Sequence, residues 1–175
     1  MTRTLFVVIA LSFFLYPSSG VCGEMSTSQS AVVNASPDQV WALLVDADRW
    51  AEWNPAVKKS ELKKGDGEKI GSVVKFTPII GGKSAPPVKL KLEKSDKPNK
   101  YEFTSRAPGM NIVFGFSIVE KDGVTTVTSY ETITGMGTAG FKALYGQDGL
   151  DREHREWVEA IKKMLEQTDD KGDMK

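Results

Sequence analysis

His154 is the only histidine in this 175-residue chain, and its place in the sequence gives it a chemical interest. It falls within Leu150–Leu165, near the middle of an apolar stripe made by Leu150, Trp157, Val158 and Ile161. An imidazole titrates close to neutral pH, so a histidine there is an acid–base group or ligand contact, or else a core histidine bonded to a backbone carbonyl. Glu131 is the second candidate, and its chemistry depends on register. Asp122-Gly123 reads as a two-residue hairpin turn between Met110–Glu120 and Val124–Thr134. Lys121 then faces Val124, Phe116 faces Ser129 and Phe114 faces Glu131, and facing residues share a side of the sheet. Glu131 would point inward with the phenylalanines, where desolvation raises a carboxyl pKa into the range of a general acid. A three-residue turn would put Tyr130 inward and Glu131 in solvent, and both registers stay open.

Other chemistries lack their residues. The sequence holds no nucleophile–base motif, no glycine-rich phosphate loop in a strand-to-helix context and no H-E-x-x-H. One Cys and one His cannot form a disulfide framework within the chain or a zinc site by themselves. No residue is therefore assigned a catalytic or metal-binding role, and no cofactor is expected. Basic and acidic residues are equal in number at 23 each, which leaves no electrostatic footprint for nucleic acid.

The elements that must hold these side chains read as α+β. A first strand centres on Ala31-Val32-Val33. Ser36 then caps a helix, with Pro37 at its first position and Gln39 placed for a capping box. Val40, Trp41, Leu43 and Leu44 give that helix an apolar face. Asp48 can cap a second, shorter helix carrying Trp50 and Trp53, which Asn54-Pro55 stops. Strands follow at Ala56–Lys64, Gly71–Thr77 and Val88–Glu93, then one marked by Tyr101 and Phe103, then the hairpin. Pro78–Pro87, with Gly81-Gly82 and Pro86-Pro87, reads as a loop. Gly135–Gly149 reads as loop with a short helical turn near Phe141–Tyr145, and Asp148 as the cap of the long last helix.

A strand, then S-P-x-x-V-W-x-L-L-x-D, then W-x-x-W-N-P, then antiparallel strands and a long terminal helix resembles the START-like SRPBCC superfamily. The nearest branch is the polyketide cyclase/dehydrase and lipid transport group, and the likeness covers residues 28–166. It implies a helix-grip fold: a curved, seven-stranded antiparallel sheet around the last helix, with two short helices after the first strand. It also implies an internal cavity open to apolar ligands. Phe76, Leu90, Tyr101 and Phe103 are the candidate ligand contacts from the earlier strands. Phe114, Phe116 and Glu131 come from the hairpin, and His154 and Trp157 from the helix. The expected function is binding of a hydrophobic small molecule such as a lipid, quinone or polyketide. The alternatives are a polyketide cyclase or dehydratase using His154 and Glu131, and an interaction protein with a filled cavity.

Residues 1–23 read as a secretory signal peptide: Arg3 is positive, Leu5–Tyr16 is apolar, and Val21-Cys22-Gly23 offers small residues for cleavage. An uncleaved anchor and lipidation at Cys22 are the other possibilities, the latter poorly matched because Val precedes the Cys. The mature chain is then expected in the periplasm or secreted, without a stable membrane span, as a linker (24–27), the domain (28–166) and a frayed tail (167–175). Nothing in the sequence speaks to its oligomeric state.

Overall fold

The computed structural model describes residues 23–172. The leader and Cys22 lie outside the described residues. Among those described, no helix is long and apolar enough to cross a membrane.

Among the described residues, eight strands form the sheet: β1 (Glu24–Val33), β2 (Val57–Lys64), β3 (Val73–Ile80), β4 (Lys83–Ser84), β5 (Val88–Asp96), β6 (Lys100–Ala107), β7 (Met110–Lys121) and β8 (Val124–Thr134). Their order is β1-β8-β7-β6-β5-β3-β2, with β4 paired to β3, and every pairing is antiparallel. Helices α1 (Pro37–Val45) and α2 (Trp50–Trp53) follow β1, joined by a 3₁₀ turn at Ala47–Arg49. Helix α3 (Thr138–Gly172) lies in the curve of the sheet. This is the helix-grip arrangement.

Local signals explain much of it. Both bonds of the capping box form at α1: Gln39 N–H donates to Ser36 Oγ (3.3 Å), and Ser36 N–H donates to Gln39 Oε1 (2.8 Å). Asp48 does not cap α2. It accepts the Leu62 backbone N–H instead (2.7 Å), tying the bent helix pair to β2.

Three expectations need correction. Residues 24–27 are not a linker, because β1 pairs with β8 from Glu24↔Thr134 onward and Met25 is buried. The seven expected strands form the continuous sheet, and the expected loop Pro78–Pro87 holds a short eighth strand, β4, beside β3. Gly81 and Gly82, both at positive φ (57° and 76°), let the chain turn back on itself, so Ile79 pairs with Ser84 and Ile80 with Lys83. The last helix begins at Thr138, upstream of Asp148. Gly146 (φ 74°, ψ 164°) breaks it once, and Gln147 then anchors the second part by donating to the Ser26 carbonyl (2.9 Å). Helical backbone continues to Gly172.

The hairpin settles the register. Asp122 (φ 54°) and Gly123 (φ 78°) form a two-residue turn with both central residues at positive φ. Lys121 pairs with Val124, Phe116 with Ser129 and Phe114 with Glu131. Glu131 is therefore on the concave side. Tyr130 is on the other face, where its hydroxyl donates to Glu102 Oε2 (2.8 Å) across the side-chain-free Gly115.

Candidate functional site

Between sheet and helix the molecule has a filled end and an open end. At the filled end, Trp50 is fully buried, donates its indole N–H to the Leu44 carbonyl (2.9 Å), and meets Phe103 and Trp157 edge-on at 5.8 and 5.6 Å. At the open end there is a cavity of about 610 Å³. Phe76 and Leu90 wall it from β3 and β5, Ile112 and Phe114 from β7, and Leu150 and Trp157 from α3. Pro86-Pro87 and Phe141 also border it.

Strand β8 places Ser129 and Glu131 two residues apart, so both side chains face α3. His154 arrives between them. Its Nδ1 lies 2.8 Å from Ser129 Oγ and its Nε2 lies 2.9 Å from Glu131 Oε2. His154 is 1% exposed and Ser129 fully buried, while the Glu131 side chain is 14% exposed and lines the cavity. The row therefore has one reachable end, the Glu131 carboxylate. A serine hydroxyl can donate to a neutral imidazole or accept from an imidazolium, so Ser129 supports His154 in either protonation state. A ligand proton taken by Glu131 could be balanced by the imidazole behind it. Ser129 has no path to a ligand and cannot act as a nucleophile.

A second carboxylate borders the same cavity. Glu153 accepts a hydrogen bond from the Tyr145 hydroxyl (2.7 Å), Tyr145 lying in the part of α3 before the Gly146 break. Burial pushes the Glu153 carboxyl up to about 7, the charge of Glu131 adds to the rise, and the Tyr145 hydroxyl offsets only part of it. Burial and the same glutamate raise the Tyr145 phenol, which stays protonated and a donor.

Of the residues singled out in sequence, Phe76, Leu90, Phe114, Glu131 and Trp157 border the cavity. His154 stands directly behind Glu131 and is bonded to side chains rather than to a backbone carbonyl. Tyr101, Phe103 and Phe116 are packed in the core. Tyr101 donates its hydroxyl to the Gly67 carbonyl and meets Trp41 edge-on at 5.3 Å. The sequence reading missed Glu153, Tyr145, Ser105 and the Ser129–His154 contact. Glu153 could have been found, since Leu150, Glu153 and Trp157 follow i, i+3, i+7 spacing on one helix face. Ser105 could have been found as well, since Tyr101, Phe103 and Ser105 alternate along β6 and so share its inner face.

A family model described as polyketide cyclase / dehydrase and lipid transport matches residues 24–170. No curated protein matches the sequence. Among solved structures, a START superfamily protein from Mycobacterium smegmatis aligns with TM-score 0.67 at 16% identity, covering 83% of this chain and 99% of its own. The Zhui aromatase/cyclase from Streptomyces sp. R1128 aligns with TM-score 0.66 at 17% identity, covering 82% and 94%. Major latex-like protein 151 from Panax ginseng aligns with TM-score 0.65 at 17% identity, covering 81% and 97%. At these identities the structures share the fold alone.

Proposed function

The chain belongs to the polyketide cyclase / dehydrase and lipid transport family, and from that premise we propose that it binds an apolar small molecule in the cavity between sheet and helix, outside the cytoplasm. The observation that carries the binding reading is the cavity itself: about 610 Å³ of space with mostly apolar walls and a few polar groups. A molecule entering it would bury most of its surface, and each methylene removed from water contributes about 0.8 kcal/mol. Export rests on Arg3 and the apolar run Leu5–Tyr16.

One experiment reads both parts. The protein is purified under native conditions from its own host, then analysed by intact-mass spectrometry and lipid extraction. The expected result is a chain starting near Glu24 with a co-extracted apolar compound. A full-length chain in the cytosol would sink export. If no compound co-extracts and no hydrophobic probe binds, the binding reading fails and an interaction protein becomes the better account.

A second reading, a cyclase or dehydratase, is favoured by the Ser129–His154–Glu131 row with its single exposed carboxylate. Under it, Glu131 moves a proton on the ligand and His154 stabilises each charge state. His154→Ala would then abolish turnover and leave ligand affinity largely intact. Turnover that survives the substitution would remove this reading.

A further inference from the structure

The polar groups of the cavity are unequal in kind. Glu131 commits Oε2 to His154 and Glu153 commits Oε2 to Tyr145, and each Oε1 has no hydrogen-bond partner among the described residues. Ser105, 5% exposed, also borders the cavity, and its buried Oγ has no partner among the described residues either. An unpartnered buried hydroxyl costs free energy unless a ligand or water meets it. The open valences are thus two carboxylate oxygens, which can only accept when ionised, and one hydroxyl. Lys89 and Arg106 border the cavity only with exposed side chains, so its buried wall carries two carboxylates and no cationic donor.

We propose that the ligand is an apolar amine, whose ammonium group is held by Glu131 and Glu153 while its hydrocarbon body fills the cavity. This deepens the binding reading above and rests on it. A primary ammonium brings three N–H donors, enough to serve more than one carboxylate, and its charge relieves the repulsion between them. A neutral alcohol brings one donor and no charge. A fatty carboxylate brings a third negative charge.

The groups around Glu153 give the binding a pH dependence. Glu131 faces it from β8 and Tyr145 from the helical segment before Gly146, and its own helix adds Arg152, His154 and Glu156. Lys89 and Arg106 border the cavity with exposed side chains. The Glu153 carboxyl, raised to about 7, is mainly protonated below that pH and charged above it. An alkylammonium keeps its proton throughout, since its ordinary pKa is about 10.4. Amine binding must therefore strengthen as pH rises through about 7, and in that range it must release a proton.

The test is calorimetric titration of the wild-type protein with dodecylamine, dodecanol and dodecanoate, below their micelle concentrations, at pH 6 and pH 8. The expected order at pH 8 is amine, then alcohol, then carboxylate, with the amine ahead of the alcohol by about tenfold or more. The amine advantage should shrink at pH 6. In Glu153→Gln, which keeps the side chain's shape, the ratio of amine to alcohol affinity should lose most of its pH dependence. Equal binding of all three probes, or tightest binding of dodecanoate, overturns the amine assignment and leaves the binding reading standing. An amine preference that does not change with pH, or is unchanged in Glu153→Gln, also overturns it. If none of the three binds, the binding reading itself fails.

Discussion

The two ends of the space between sheet and α3 are built from similar residues and reach opposite results. At one end Trp41, Trp50 and Trp53 come in from the bent helices and close-pack with Tyr101, Phe103 and Trp157, mostly in edge-on pairs 4.7 to 5.8 Å apart. At the other end no such helices descend. The sheet's curve is bordered by the chain around Pro86 and by Phe141, and about 610 Å³ stays open. Trp157 belongs to both, touching Trp50 on one side and lining the cavity on the other. The difference teaches that aromatic content does not close a core. Insertion of an element does, and here α1 and α2 fill only one half of the grip.

The comparison can be broken by removing volume from the filled end. Trp50→Ala should destabilise the fold by about 3–5 kcal/mol, because the void among close-packed rings cannot collapse. Urea denaturation checks this, and a loss near 1 kcal/mol would mean that the filled end is not the stability centre.

Adding volume sharpens the comparison. Ala47→Phe at the filled end, where Ala47 is buried, should cost about 1–3 kcal/mol or more through overpacking. Ile112→Phe, which projects into the cavity, should cost less than about 1 kcal/mol while weakening a hydrophobic probe about tenfold. Equal stability costs at the two sites would mean that the cavity closes in solution.

The remaining expected effect is electrostatic and confined to the open end. Glu153 is raised from 4.5 to about 7, so the folded chain holds a proton there that the unfolded chain has lost. By linkage its contribution to stability falls as pH rises from about 4.5 to about 7 and stays low above that. Glu153→Gln removes this slope. The variant should gain on the wild type by about 2 kcal/mol between pH 5 and pH 8 in paired denaturation curves. A gain that is constant with pH would deny the shift.

What the sequence by itself determined lies within short spans. Ser36 and Gln39 meet across one helical turn, Asp122-Gly123 closes a hairpin with its neighbours, and the alternation of Val88–Glu93 or Ile112–Ile118 names a face without reference to the rest of the chain. These interactions are local, so their energies were already legible in residue type and spacing. The sheet and the long helix followed from them. Glu131 was half legible: its side hung on one turn, and the backbone at Asp122, which accepts a positive φ, decided it. Tertiary structure alone decided the rest. Ser129 and His154 are 25 residues apart in sequence and meet at 2.8 Å only because α3 docks on β8. Spacing puts Glu153 on the inward face of its helix, but its bond to Tyr145 exists only because Gly146 turns the preceding segment. The cavity has no residue of its own. It is the volume that side chains from five strands and a helix fail to reach, and such a shortfall exists only once all of them are in place.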